Sequence, residues 1–377
     1  MTSRERVLAA LNRQRTDRVP MDLGSTRVTG ITVQAYERLK RHFGLKKETV
    51  VVDRMQQLAW VDEEILEALG IDTIGLLPKP PDRSQDALLP DGRWRDEWGV
   101  VRRLQPDGYY YELDESPLAG EITEKELDEY PWPDPDDPGR VRGLAEEAKR
   151  LREETDYALV GHAPGGWIHL SQYLRGFEDW FADLALRPRF AREFLERVCD
   201  LTLRMAKHFL EAVGLYLDVV ATGDDIAIQR GPMVSPQTYR EIFWPLQKKQ
   251  FQFLHEHTQA KVFYHCCGSV YRLLPHFIAA GIDIINPVQV SAAEMDDTAR
   301  LKREFGDRVC FWGAIDTHRV LPFGTPEEVR AEVQRRINDL AVDGGYVLNA
   351  VHNLQPEVPV ENILALYEAG RETPLPV

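Results

Sequence analysis

The sequence reads KVFYHCCG at residues 261–268 and predicts a strand with a metal-binding end. The apolar run before the histidine is typical of a β-strand, and the glycine predicts a turn directly after it. Because side chains alternate between the two faces of a strand, His265 and Cys267 are expected on one face and Cys266 on the other. An imidazole and a thiolate that converge at a strand end form half of a zinc site. A core cysteine and a histidine bound to backbone are the alternative explanation.

Strand candidates alternate with helical stretches along most of the chain. The candidates lie at residues 19–23, 72–76, 157–161, 217–221, 261–265, 282–286, 309–313 and 346–351. Helices are expected at residues 141–154, 187–214, 236–257 and 326–340, and an N-terminal helix from Ser3, as N-cap, to Leu11. This alternation predicts an α/β fold with a parallel sheet, and eight strands close a (β/α)8 TIM barrel. A doubly wound open sheet is the alternative, but no glycine-rich phosphate motif follows an early strand.

One segment departs from this alternation. Residues 78–135 are rich in proline, aspartate and aromatic residues without helical periodicity, and they end in a linker with four prolines at 131–138. We predict a small antiparallel insertion or cap there. The whole chain, residues 1–377, is expected to form one barrel domain that contains this insertion and begins with an N-terminal helical extension.

Composition restricts the partners and the compartment. The net charge of −15 argues against nucleic acid or an anionic membrane as a partner. No apolar run approaches the roughly 18 residues of a membrane span, and the N-terminus does not resemble a signal peptide. Four cysteines, two of them adjacent, do not form a disulfide framework, so a cytoplasmic location is expected. A homodimer is the default assembly.

The predicted strand ends are polar, which indicates an enzyme because barrel active sites lie at the carboxyl ends of the strands. His352 follows the last strand and is the expected third ligand beside His265 and Cys267, the number of protein ligands typical of a catalytic zinc. A structural histidine before Pro356 is the alternative. Asp224 and Asp225 are candidate catalytic carboxylates, with an N-cap and a solvated acid as the alternative. The candidate substrate-binding residues are His162, Asn286, Gln289, Asp316 and Asn349.

Several segments together resemble the uroporphyrinogen decarboxylase superfamily, which includes the decarboxylase and cobalamin-dependent methyltransferases. They lie at residues 4–11, 17–20, 161–167, 223–225, 231–236, 286–289, 311–316 and 356–362. The resemblance covers nearly the whole chain. It implies a (β/α)8 barrel with its active cleft at the strand ends, in agreement with the pattern of strands.

The resemblance is closer to the methyltransferase branch. The Arg-Gln-Ala-Gly-Arg motif of the decarboxylase branch is missing, whereas His265, Cys267 and Gly268 match the His-x-Cys-Gly of the methyltransferases. His352 stands where that branch has a second cysteine. The resemblance implies zinc as cofactor and methyl transfer between a small methylated substrate or thiol and a corrinoid (cobalamin). The corrinoid is expected on a separate partner protein, because the chain ends with the barrel. A cofactor-free decarboxylase and a non-catalytic binding protein remain open.

Overall fold

The computed structural model describes residues 1–83, 86–106 and 108–376. Its centre is a parallel sheet of seven strands among the described residues. In chain order from β1 to β7 they are Thr73–Leu76, Ala158–His162, Val219–Gly223, Lys261–His265, Ile284–Asn286, Cys310–Ile315 and Tyr346–Ala350. Each strand is hydrogen-bonded to the next, in the order β7-β6-β5-β4-β3-β2-β1.

Residues 20–22 lie between the two edge strands and close the sheet into a barrel. Met21 forms a parallel bridge with Leu348 of β7. On the other side, the Asp72 N–H, directly before β1, donates to the Met21 carbonyl at 2.8 Å. Pro20 has no N–H to donate, so this eighth segment contributes a single bridge where a longer strand is predicted at 19–23. The prediction of a (β/α)8 barrel is confirmed.

The helices follow the predicted alternation. They span Ser3–Leu11, Val33–Phe43, Glu63–Leu69, Glu124–Glu129, Leu144–Glu154, Trp167–Arg175, Phe177–Leu186, Pro188–Val213, Pro236–Thr238, Trp244–His257, Leu274–Ala280, Thr298–Phe305, Val320–Phe323, Pro326–Leu340 and Val360–Glu372, with a 3₁₀ turn at Pro138–Val141 and a π-helical turn at Tyr239–Phe243. Within the described ranges, no helix combines the length and the hydrophobicity that crossing a bilayer requires.

Two predicted helix starts are wrong, and a third predicted helix has the expected bounds but is not α-helical throughout. Thr2, not Ser3, caps the first helix, since its hydroxyl accepts the Glu5 N–H and the Glu5 carboxylate accepts the Thr2 N–H. Gly143, at φ +72°, separates the 3₁₀ turn from the helix that begins at Leu144. The predicted helix 236–257 contains the π-helical turn, because Pro245 lacks the N–H that would continue an α-helical ladder.

An antiparallel sheet lies where the insertion is predicted. Its strands, in spatial order, are Ala87–Leu88, Trp94–Arg95, Val101–Leu104 and Tyr111–Glu115. Two short hairpins pair Val51–Asp53 with Leu58–Ala59 and Ala227–Ile228 with Gly231–Pro232. The insertion contacts the first of these hairpins, since the Tyr111 N–H donates to the Met55 carbonyl at 2.9 Å.

Side chains inside the barrel form apolar layers toward the amino-terminal ends of the strands and a polar layer at their carboxyl ends. Val7 and Leu11 of the first helix cover the amino-terminal opening and pack with Val160, Phe263 and other inward residues in one buried cluster. Two positions further along β2 and β4 the same alternation places His162 and His265. The polar layer therefore lies at the carboxyl ends of the strands.

Asp72 joins the first helix to the closing segment. It is fully buried, and its carboxylate accepts hydrogen bonds from Arg6 at 2.6 Å, Arg18 at 2.7 Å and the Met21 N–H at 2.9 Å. Removing this charge leaves two guanidinium groups without their shared partner.

We expect Asp72→Asn to lower the free energy of unfolding by about 3 kcal/mol, because it breaks a buried ion-pair network. Urea denaturation followed by circular dichroism measures the change. Glu64→Gln, at an exposed carboxylate paired with Lys47, is the matched control and should leave the unfolding midpoint nearly unchanged. Equal effects of the two substitutions would contradict the role of Asp72.

Candidate metal centre

His265 and Cys267 are held at the end of β4 by neighbouring strand ends. The Cys267 N–H donates to Asp225 at 2.6 Å, and the Gly268 N–H donates to Gln289 at 2.6 Å. Gly268 has a φ of +92°, and a Cβ there would lie 2.7 Å from the Ile228 carbonyl oxygen. This tight turn brings the Cys267 Sγ to 3.4 Å from the His265 Nε2.

His352 reaches the same point from β7. The Val351 N–H still donates to the Ile315 carbonyl at 2.9 Å, so the backbone follows β6 up to the residue before His352. The imidazole rings of His265 and His352 lie 5.3 Å apart, inclined at 69°. One ligand atom from each of His265, Cys267 and His352 lies within 4.8 Å of the other two. The structure thus brings together the three predicted metal ligands.

The Cys267 and His265 donor atoms have the separation of two ligands of a tetrahedral zinc. Zinc–sulfur bonds of about 2.3 Å and zinc–nitrogen bonds of about 2.0 Å place a sulfur and a nitrogen ligand about 3.5 Å apart. The observed separation of the Cys267 Sγ and the His265 Nε2 is 3.4 Å. The His265 Nδ1 is 2.5 Å from the Asn286 side-chain oxygen and donates to it, which leaves the Nε2 lone pair free for a metal.

Burial controls the protonation of the three ligands. It lowers the pKa of His265, and it lowers the pKa of His352 to about 3, with the neighbouring His265 adding to the effect. Both imidazoles are therefore neutral at pH 7, the form that binds metals. Burial, assisted by Asp225, raises the pKa of the Cys267 thiol well above its usual value. A metal ion bound here would displace the thiol proton.

The two adjacent aspartates have different surroundings. Asp225 lies beside the three ligands, with one oxygen 3.9 Å from the His265 Nε2 and the other 3.6 Å from the His169 Nε2. Asp224 is buried and accepts the His169 N–H at 2.9 Å, while its second oxygen has no hydrogen-bond partner among the described residues. Burial raises the pKa of Asp224 well above its usual value. Asp225 is therefore the aspartate that faces the metal ligands.

The remaining predicted residues fall into two groups. His162, Asn286 and Gln289 lie around the ligands. Burial, together with Arg27 and His265, lowers the pKa of His162 to about 3. Asn286 accepts a hydrogen bond from the His265 imidazole, and Gln289 accepts one from the Gly268 N–H. Asp316 instead accepts the N–H groups of His318 and Arg319 in a turn. Asn349 donates to the Asp22 carbonyl at 2.7 Å, inside the barrel.

Sequence reasoning missed His169. It lies in the first turn of the helix Trp167–Arg175, which directly follows the end of β2. Its side chain is near both Asp224 and Asp225. The available signal was its position, because the first turn of a helix after a barrel strand borders the same opening as the strand end.

Comparison with known proteins agrees with this architecture. Residues 109–373 match the family model of uroporphyrinogen decarboxylase (URO-D). The chain belongs to the URO-D family. This confirms the family inferred from the sequence motifs.

Methyltransferases and decarboxylases are both among the similar proteins. A methylated-thiol–coenzyme M methyltransferase of Methanosarcina mazei is 24% identical over 253 residues, which cover 65% of this chain and 62% of that relative. A uroporphyrinogen decarboxylase of Prochlorococcus marinus is 24% identical over 286 residues, 71% of this chain and 79% of the relative. A solved methyltransferase from Methanosarcina mazei superposes over 99% of both chains with a TM-score of 0.66 at 19% identity, which supports the fold.

We expect Asn286→Leu to weaken zinc binding by about tenfold to a hundredfold, since it removes the acceptor that fixes the His265 imidazole. Competition with a chromophoric chelator measures the dissociation constant. Asn362→Leu is the matched control: Asn362 is also buried, but its amide donates to Leu321 and Gly324. Unchanged zinc affinity in Asn286→Leu would contradict this role.

Proposed function

We propose that this chain is a zinc-dependent methyltransferase that moves a methyl group between a small methylated substrate or thiol and a corrinoid on a separate protein. The observation that carries the proposal is the convergence of the His265, Cys267 and His352 ligand atoms within 4.8 Å. The methyltransferase among the similar proteins supports the same reaction class.

His265, Cys267 and His352 would hold the zinc and leave one position for a substrate atom. When bound, zinc would act as a Lewis acid toward the sulfur or oxygen of the substrate. A zinc ion with two neutral imidazoles and one thiolate would have a net formal charge of +1, whereas a zinc ion with one imidazole and two thiolates would be neutral. This ligand set therefore favours a less acidic thiol or an ether oxygen.

Other residues of the chain would hold the ligands and orient the substrate. Asn286 fixes the imidazole of His265, and Asp225 fixes the backbone of Cys267 and adds a negative charge beside the ligands. The His162 Nδ1 accepts the Arg27 N–H at 3.2 Å, so the proton of this neutral ring resides on Nε2. That N–H is the donor we assign to the substrate.

A carboxy-lyase is the second candidate, favoured by the match to the URO-D family model and by the decarboxylase relative. Such an enzyme would retain the barrel and the aspartates but would not need a metal. Release of carbon dioxide that continues after treatment with a chelator would identify it.

The proposal predicts about one zinc per chain in protein purified with zinc, measured by plasma mass spectrometry. His265→Ala and Cys267→Ser should each lose most of it, because two ligands hold zinc poorly. The exposed His318→Ala is the control and should retain it. Loss of absorbance by methylcob(III)alamin in the presence of a thiol should require the bound zinc. Full zinc occupancy in both ligand variants, or no zinc in the unaltered protein, would contradict the proposal.

A further inference from the structure

We propose that Tyr110 is a substrate-binding residue whose hydroxyl donates a hydrogen bond to the sulfur or oxygen atom that a substrate presents at the candidate metal centre. The proposal rests on the zinc-dependent reaction above and adds to its active site a residue from outside the barrel. Tyr110 directly precedes the last strand of the inserted sheet, Tyr111–Glu115, and is half-buried. Three observations support the proposal: the hydrogen bonds that hold this residue, the free proton of its hydroxyl and its proximity to Cys267.

Hydrogen bonds hold the backbone around Tyr110. The Tyr110 carbonyl accepts the Gln105 N–H at 3.0 Å, within the turn between the last two strands of the inserted sheet. The next residue, Tyr111, donates its N–H to the Met55 carbonyl at 2.9 Å. Met55 lies in the turn of the first short hairpin outside the inserted sheet. Two backbone hydrogen bonds therefore fix the position of Tyr110.

Side-chain hydrogen bonds connect the same region to the segment after His352. The Asn353 side chain donates to the Gln56 side-chain oxygen at 2.9 Å, and Gln56 belongs to the turn of that short hairpin. The Gln355 side chain donates to the Asn353 carbonyl at 3.1 Å and is also hydrogen-bonded to the Tyr110 hydroxyl. The inserted sheet is therefore attached to the segment that begins with a metal ligand.

The Gln355 amide donates to the Tyr110 oxygen and leaves the phenol proton free. This hydrogen bond lowers the pKa of the phenol, as a bond donated to the phenol oxygen does. The amide nitrogen carries two N–H groups, so one serves the Asn353 carbonyl and the other serves Tyr110. Among the described residues no acceptor is present for the Tyr110 O–H. This hydroxyl can therefore donate to a bound ligand.

The Tyr110 hydroxyl lies near the metal ligand Cys267. Burial is the largest cause that raises the pKa of the phenol, and the charges of Glu357 and Cys267 add to the rise. Within the part of the chain that the structure describes, the phenol and the Cys267 sulfur act on each other without sharing a hydrogen bond. The proposal places the substrate atom between them, at the open position of the metal.

A neutral donor beside the metal suits an electron-rich substrate atom. Asp225 already adds a negative charge beside the ligands, with one oxygen 3.9 Å from the His265 Nε2. A thiolate bound at the metal would bring a second negative charge, and a hydrogen bond from a neutral hydroxyl offsets part of the repulsion. The raised pKa of Tyr110 keeps its hydroxyl protonated at pH 7, so the hydroxyl remains a donor.

Calorimetric titration of the zinc-loaded protein with ethanethiol and with imidazole tests the proposal. A zinc-bound thiolate accepts a hydrogen bond, whereas imidazole uses its lone pair on the metal and then offers only an N–H donor. Tyr110→Phe should weaken the binding of ethanethiol by about tenfold and leave the binding of imidazole unchanged. Tyr130→Phe is the matched control, because the Tyr130 hydroxyl also belongs to the inserted segment but donates to the Trp98 carbonyl.

Substitution of Gln355 tests the direction of the hydrogen bond. In Gln355→Glu the carboxylate would accept the phenol proton, so the affinity for ethanethiol should fall about as far as in Tyr110→Phe. Combining Tyr110→Phe with Gln355→Glu should cause no further loss, because both substitutions remove the same donor. Losses that add in the double variant would contradict the free phenol proton.

Failure of the Tyr110 contact and failure of the metal proposal are distinguishable. Tyr110→Phe should retain the zinc content of the unaltered protein, measured by plasma mass spectrometry. Equal weakening of ethanethiol and imidazole, or no weakening of either, would overturn the contact while zinc-dependent thiol binding persists. No binding of ethanethiol to the unaltered zinc-loaded protein would overturn both the contact and the proposed reaction.

Discussion

Closure of the barrel is the constraint on which the candidate metal centre depends. His265 ends β4 and His352 follows β7, so three strand-to-strand steps separate them in the sheet. In a flat sheet those steps would place them about 14 Å apart. The rings are 5.3 Å apart because the sheet curves back on itself. The bridge between Met21 and Leu348, and the hydrogen bond from Asp72 to Met21, complete that curvature.

A chain of buried hydrogen bonds connects the metal ligand His265 to the interior of the barrel. Asn286 accepts from His265 and donates to the Trp312 carbonyl at 3.0 Å, and the Trp312 indole donates to Asp22 at 2.9 Å. Asp22 is fully buried and also accepts from Thr73 at 2.6 Å. These bonds connect β4, β5 and β6 to the closing segment. The orientation of His265 and the closure of the barrel are therefore parts of one polar network.

The sequence predicted those features of the fold and of the site that follow from local periodicity. Alternating strands and helices indicated the barrel, and strand-end positions indicated His265, Cys267 and His352, because parallel strands place their carboxyl ends together. It did not predict that Tyr173 stacks on His169, since a residue in the interior of a helix comes near the strand ends only through the tertiary path of the chain. Nor did it separate Asp224 from Asp225: adjacent residues differ in burial only once the helix at Trp167–Arg175 is in place.

Zinc K-edge X-ray absorption of the zinc-loaded protein tests the central claim most directly. The account predicts one sulfur ligand at about 2.3 Å and nitrogen or oxygen ligands at about 2.0–2.1 Å, with the outer-shell scattering of two imidazoles. Cys267→Ser should remove the sulfur contribution. A spectrum of the unaltered protein without sulfur, or with two sulfur ligands, would contradict a site built from His265, Cys267 and His352.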